Sequence, residues 1–148
     1  MQIHYAPRTI QAACRILDAC ISHIYHQRML EVRNLDTAQQ IEKYINDNIA
    51  WDLSIEHLCA HFSVSRAELY QIFHTSFNSS VADYIRSKRI SMAEQMIRST
   101  SMQISEIASN VGFYDYNYFS KVFHRKFGCS PREYRKKLES GSEAADKK

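Results

Sequence analysis

One pattern of apolar positions occurs twice in this chain. Ile55, Leu58, Cys59 and Phe62 return as Ile104, Ile107, Ala108 and Val111, 49 residues further on. Leu69, Ile72, Phe73, His74, Phe77, Asn78, Ser80 and Tyr84 return as Phe119, Val122, Phe123, His124, Phe127, Gly128, Ser130 and Tyr134, at an offset of 50. The change of offset falls in the turn between the two runs of each copy. Within a run the apolar residues recur at steps of three and four, the period of a helix with one buried face. Each copy therefore reads as helix, turn, helix and the start of a further helix. Two copies are too few to stack into a solenoid. The repeat predicts an all-α protein of two helix-turn-helix subdomains.

Local signals set the boundaries. Ser54 caps a short helix from Ile55 to His61, and Ser65 caps another from Arg66 to Phe77, with Ser63-Val64-Ser65 as the turn between them. Asn78 stands where a helix needs a left-handed residue to stop, and Asn tolerates that conformation second only to Gly. Ser80 with Asp83 three residues on opens a helix that meets no breaker before Arg98. At 1.5 Å per residue this linker spans about 25 Å. Its broad side carries Tyr84, Ile85, Arg89, Ala93, Met96 and Ile97. The second copy turns at Gly112 and stops at Gly128. Ser130-Pro131-Arg132-Glu133 then combines a cap, a proline at the first helical position and a capping-box acid. The first helix-turn-helix covers about 54–78, the linker about 81–98, the second helix-turn-helix about 103–128 and the last helix about 131–138. From Glu139 the chain is small and charged, and residues 139–148 are expected to be a disordered tail.

Ahead of the repeat, Ile10, Ala13, Cys14, Leu17, Cys20, Ile21 and Ile24 mark an extra N-terminal amphipathic helix over about 8–30. Arg33-Asn34-Leu35-Asp36 reads as a break, with Asp36 or Thr37 capping a following helix whose stripe is Ile41, Tyr44, Ile45 and Ile49. Trp51 and Leu53 are then expected in the core. The chain divides into an arm, 1–35, and a domain, 36–138. The apolar stripe of the arm has no evident partner in so short a segment. It can serve a homodimer through residues 8–30, a connection to a sensor domain, or packing back on the domain.

Composition agrees with helices. Three Gly and two Pro in 148 residues are few for a fold built on many turns. No run of 18 apolar residues marks a membrane span, no signal peptide is evident at the N-terminus, and the four cysteines form no CxxC pair. These point to a cytoplasmic protein with reduced, mostly buried thiols and no membrane contact. Net charge is only +3, but Lys121 to Lys137 holds seven basic residues against one acid, which suits a polyanionic partner.

Chemistry concentrates on the second helix of each unit. From Asp115 to about Phe127, the face carrying Phe119, Val122, Phe123 and Phe127 is apolar. The opposite face offers Tyr116, Asn117, Ser120, Lys121 and His124, hydrogen bonders and cations suited to a DNA groove. In the first unit the outer face offers Arg66, Ala67, Tyr70, Gln71 and His74. His57 and His61 stand four apart on one helix, a spacing that can hold zinc, but no third ligand or HExxH pattern accompanies them. The aromatic run Phe113, Tyr114, Tyr116, Tyr118 and Phe119 has helical spacing and reads as core plus rim rather than a stacking platform for single strands. No nucleophile–base arrangement, Gly-rich phosphate loop or carboxylate pair marks an enzyme, and no cofactor is expected.

The residues Ile104, Ile107-Ala108, Val111-Gly112-Phe113, Asp115, Tyr118-Phe119, Phe123, Gly128, Ser130-Pro131 and Tyr134-Arg135 together resemble the signature of the AraC/XylS family of bacterial transcription regulators. The resemblance runs from about Asp36 to Lys137 and includes DYIRSKRISMAEQMI as the linker. It implies a seven-helix domain that sets two recognition helices in successive major-groove segments of promoter DNA. By position, the base-reading residues would be Arg66, Ala67, Tyr70, Gln71, Tyr116, Asn117, Ser120 and Lys121. His74, His124, Arg125, Arg132 and Arg135 would hold phosphates. It also implies a transcriptional activator that contacts RNA polymerase. The sequence departs from the family at Asn78, where Gly is usual, at Gln103, where a Ser-type cap is common, and at Ala67, where some relatives carry a large reader. Glu68 would repel phosphate if it turned outward. A protein–protein assembly module with weak or indirect DNA binding is the competing reading of the same residues.

Overall fold

A computed structural model describes residues 7–145; the side chains of 7–11, 13, 31, 32 and 141–145 lie outside it. Seven helices and no strand are present among the described residues: α1 (Pro7–Asp47), α2 (Ile55–Phe62), α3 (Arg66–Phe77), α4 (Val81–Ser99), α5 (Ile104–Asn110), α6 (Tyr116–Phe127) and α7 (Pro131–Ala145). They enclose two cores. In the first, Ala38, Ile41 and Ile45 of α1 meet Leu58, Leu69, Ile72, Phe73, Val81 and Ile85. In the second, Ile90, Ala93 and Ile97 of α4 meet Ile104, Ile107, Ala108, Val111, Phe119, Val122 and Phe123. Helix α4 belongs to both, and its Met92 packs against each.

The repeat holds at the level of the backbone. Ser54 accepts from the His57 N–H, and Ser65 and Glu68 form a reciprocal capping box. Ser130 and Glu133 do the same at α7, where Pro131 is fully buried. At α5 only half of such a box is bonded: the Gln103 N–H donates to Glu106 Oε2 at 3.4 Å, while the Gln103 side chain makes no cap hydrogen bond. Among the described residues four positions carry a positive φ: Ser63 (53°) and Asn78 (47°) in the first unit, Gly112 (83°) and Gly128 (73°) in the second. They occupy matching places in the repeat. Only the second copy has the residue that adopts this conformation without steric cost.

Three expectations about this framework are corrected. The break at Arg33–Asp36 is absent, and α1 is one helix of 41 residues. Thr37 Oγ1 donates to the Arg33 carbonyl and Gln40 Nε2 to Asp36, each four residues apart. The polar side chains are thus satisfied along the helix surface rather than at a cap. Trp51 is not core: it is 72% exposed, while its backbone N–H and carbonyl are bonded to Asn48 and Arg89. Leu53 is buried as expected. The last helix does not stop at Leu138, and what was expected as tail continues it to Ala145. Glu, Ala and Ser with one Gly contain no breaker strong enough to end a helix already nucleated. Residues 146–148 of that tail lie outside the described residues.

The N-terminal stripe is exposed wherever its side chains are described. Leu17, Ile21 and Ile24 are each more than half exposed, as are Ile16 and Tyr25 beside them. Cys14 and Cys20 are exposed with them, Cys59 is half-buried and Cys129 buried, so the thiols are free but not mostly buried. The side chains of Ile10 and Ala13 lie outside the described residues.

Candidate nucleic-acid interface

Helix α6 is anchored from below by rings. Phe119 and Phe123 are fully buried with centroids 5.8 Å apart, and Tyr134 of α7 meets Phe123 edge-on. Asp115 fixes the start of the helix by accepting from the N–H groups of Asn117 and Tyr118 at 2.7 and 3.1 Å. Its opposite side is open. Asn117, Lys121, His124 and Arg125 are exposed and Ser120 is half-buried. The first three, with Ser120 and Ser130, line a shallow groove. No side-chain hydrogen bond engages Asn117 or Lys121 among the described residues. Tyr116 differs: it packs on Phe119 at the rim of the core, and the Arg132 guanidinium lies 5.9 Å from its ring. That cation–π contact holds both residues at the edge of the face.

Helix α3 repeats the arrangement. Leu69, Ile72 and Phe73 are buried, while Arg66, Ala67, Tyr70, Gln71 and His74 are exposed together. Glu68 does not turn outward. Its carboxylate accepts from the Ser65 N–H and hydroxyl at 2.9 Å, and these bonds hold its pKa below the usual value. The one exposed carboxylate on this helix is therefore folded back into the cap. Arg66 is tied to Glu56 of α2 at 2.5 Å, with both side chains largely exposed, so reaching a base or phosphate means leaving a solvent-screened pair.

The basic segment is split between two tasks. Arg125, Arg132, Lys121, Lys136 and Lys137 are exposed. Arg135, expected to hold a phosphate, is half-buried and its guanidinium is engaged with backbone. Its Nη1 donates to the Met102 carbonyl at 2.7 Å and its Nη2 reaches the Thr100 carbonyl at 3.5 Å, with Nε buried. It ties α7 to the turn between α4 and α5. Lys126 is likewise engaged, donating to Ser91 Oγ at 2.8 Å and Ser87 Oγ at 3.3 Å on α4.

Arg89 has a task that its place on the α4 stripe alone does not reveal. Its guanidinium bonds three carbonyls between the subdomains, and burial pushes its pKa down. The signal was present: Arg89 lies on the α4 stripe with Ile85 and Ala93, four residues from each. A cation on a buried stripe calls for a set of acceptors. The His57–His61 pair sits around Tyr44, whose hydroxyl shares a 2.8 Å hydrogen bond with His57 Nε2 and whose ring stacks 4.1 Å from His61. No group of three metal-ligating side chains is present among the described residues. None of the described helices is long and apolar enough to cross a membrane.

Two similar helix-turn-helix units on one connecting helix, each with a polar outer face on its second helix, define a protein of the double helix-turn-helix class. A family model described as a helix-turn-helix domain matches residues 58–137, more than half of the chain. The chain is 33% identical over 100 residues to the HTH-type transcriptional activator RhaR of Cronobacter sakazakii, covering 68% of this chain and 35% of that protein. It is 33% identical over 104 residues to regulatory protein SoxS of Escherichia coli, covering 66% of this chain and 97% of SoxS. A transcriptional regulator of Chromobacterium violaceum with an AraC-type DNA-binding domain matches with a TM-score of 0.66 at 24% identity, over 72% of this chain and 96% of that one. The DNA-binding domain of AdpA, solved with a target DNA, matches at 0.67 and 19% identity, over 70% and 93%. At such identities these two structures show the shared fold alone. The chain belongs to the AraC/XylS family of helix-turn-helix transcription regulators. It spans between 35% and 41% of the length of RhaR, the Msm operon regulatory protein and the YfiF regulator, and nearly all of SoxS.

Proposed function

We propose that this chain is a sequence-specific reader of double-stranded promoter DNA that seats α3 and α6 in successive major-groove segments. The observation that carries the reading is the unengaged polar face of α6, held rigid by buried phenylalanines and matched by the outer face of α3. Asn117 and Gln71 have the paired donor and acceptor that adenine presents in the major groove, and Lys121 and Arg66 the donors for guanine or phosphate. Ala67 suits a thymine methyl group, while Tyr70 and Ser120 add hydroxyls, with Tyr116 at the rim. His74, His124, Arg125 and Arg132 flank these faces as phosphate contacts, which position a protein without reading sequence. One chain then covers an asymmetric site of about two major-groove turns.

RhaR is described as a transcriptional activator. We extend that role to this chain, with RNA polymerase as the partner and the cytoplasmic nucleoid as the place of action. The arm, residues 1–35, is the element for assembly, through a homodimer or a sensor domain, and its exposed stripe supports that division of labour from 36–138. Selection of bound sites from random duplex DNA tests the central claim. A defined motif with two half-sites about one helical turn apart is the expected result. Equal binding to all duplexes would leave assembly as the function of the chain.

A further inference from the structure

Helix α4 contributes buried residues to both cores, and its Met92 is packed against each. Arg89 closes the remaining gap. Its Nε donates to the Ile49 carbonyl at 3.0 Å and its Nη2 to the Trp51 carbonyl at 3.0 Å, both in the segment between α1 and α2. Its Nη1 donates to the Gly112 carbonyl at 2.9 Å, in the turn between α5 and α6. All three nitrogens of one planar group are thus bonded to backbone, two on the side of the first subdomain and one on the side of the second. No carboxylate lies within ion-pair distance of it among the described residues. The fit is close. A Cβ built on Gly112 would lie 2.8 Å from Arg89 Cζ, and the φ of +83° there already favours glycine. Trp51 is three residues from Ser54, the cap of α2, and Gly112 three from Asp115, the cap of α6. The guanidinium therefore joins the chain just ahead of one helix-turn-helix to the turn that aims the recognition helix of the other.

We propose that Arg89 is the positioning residue that fixes the rotation between the two recognition helices, and with it the number of base pairs allowed between the two DNA segments. The second half of this statement rests on the DNA-binding reading above; the first half does not. A continuous helix resists bending, but a single side chain shared between two cores constrains their relative rotation weakly. A rigid fork held by three carbonyls constrains it in a plane, which the single ammonium of a lysine cannot do. One base pair moves the second DNA segment by about 3.4 Å and roughly a tenth of a turn, so loss of the clamp is expected to show as tolerance of altered spacing.

The test has a DNA-free arm and a DNA arm. Residual dipolar couplings are measured on the whole chain for the wild type, Arg89→Met, Arg89→Lys and Gly112→Ala. The first two substitutions keep an aliphatic stem, and Gly112→Ala presses on the guanidinium from the other side. In the wild type the alignment tensors of the two cores are expected to coincide. In each variant they are expected to diverge while the couplings within each core stay unchanged. Coincident tensors in Arg89→Lys and Arg89→Met would overturn the proposal. In the DNA arm, duplexes carrying the selected site are lengthened or shortened by one and two base pairs between its halves. Wild-type affinity is expected to fall roughly tenfold or more, the loss associated with about one badly met base pair. The variants should show a flatter profile. A uniform loss of affinity with an unchanged profile would also overturn the claim about spacing. Diverging tensors in a protein that selects no site would sink the DNA reading and leave the clamp standing.

Discussion

The Tyr134 hydroxyl donates to Glu94 Oε1 at 2.5 Å. One repeat earlier the Tyr84 hydroxyl donates to Glu42 Oε1 at 2.8 Å. Each glutamate also takes a cation from α4: Arg98 approaches Glu94 at 3.3 Å, and Lys88 approaches Glu42 at 2.6 Å. Helix α1 therefore does for the first subdomain what α4 does for the second, down to the acceptor that receives the tyrosine. Tyr134→Phe and Tyr84→Phe are each expected to lower stability by about 1 kcal/mol, near 4 °C in Tm, as one partly exposed charge-assisted bond is lost. Thermal melts of the two single variants and the double variant check this. Additive losses are expected, since the sites lie in different cores.

Glu42 gives the stability a defined pH dependence. Its bonds from Lys88 and Tyr84 hold its pKa below the ordinary 4.5, while the Lys88 pKa is raised above 10.5 by Glu42 and that of Tyr84 above 10.0 by burial and Glu42. A carboxylate with a depressed folded pKa contributes above 4.5, and the contribution is lost as pH falls through the lower folded value. The raised Lys88 and Tyr84 contribute below their ordinary values and lose it as pH rises past them. Glu42→Gln should flatten both limbs of a stability profile taken from pH 3 to 11. A profile parallel to the wild type would remove Glu42 from the account.

Lys121→Ala and Arg125→Ala separate reading from holding. With Arg125 as a phosphate contact, its loss should weaken all duplexes alike and reduce the salt slope by about one. Loss of Lys121 should also narrow the gap between selected and random DNA if it meets a base, with about 1–3 kcal/mol at stake. Equilibrium titrations over a salt series distinguish the two.

Glu56 restrains Arg66 through their 2.5 Å pair. Glu56→Gln is expected to raise affinity for duplex DNA in general, by releasing a cation beside the groove-facing surface and removing a nearby negative charge. Unchanged binding at low salt would mean that Arg66 does not approach DNA.

Ser63 and Asn78 sit in the left-handed region where the second unit has Gly112 and Gly128. Ser63→Gly is expected to stabilise the first subdomain by about 1 kcal/mol, and Asn78→Gly by less, because Asn tolerates that conformation better than Ser. Denaturant melts read both directly.

Six of the helices were legible from the sequence because short-range chemistry starts and stops them: Ser54, Ser65, Ser80, Asp115 and Ser130 as caps, Asn78 and Gly128 as stops. The buried stripes of α3 and α6 followed from their period. Features that depend on the whole fold were misread. Asp36 and Thr37 look like caps until their bonds to residues four away are seen. Trp51 looks like core because it is large and apolar, yet it is its backbone that is bonded, N–H to Asn48 and carbonyl to Arg89. Arg135 belongs by charge to the basic segment, and its carbonyl partners lie more than thirty residues earlier. Arg89 was on the stripe that sequence periodicity drew, but three acceptors from two distant turns cannot be inferred from spacing.

Helix α1 runs unbroken from an exposed stripe into the first core, where Ala38, Ile41 and Ile45 are locked. Over 41 residues it is a shaft of about 61 Å. A shaft transmits phase. One residue inserted near Asn34 turns everything ahead of it by about 100° and advances it 1.5 Å, while seven bring it nearly back to its starting angle. The angle at which Leu17, Ile21 and Ile24 stand to α3 and α6 is geared to that count.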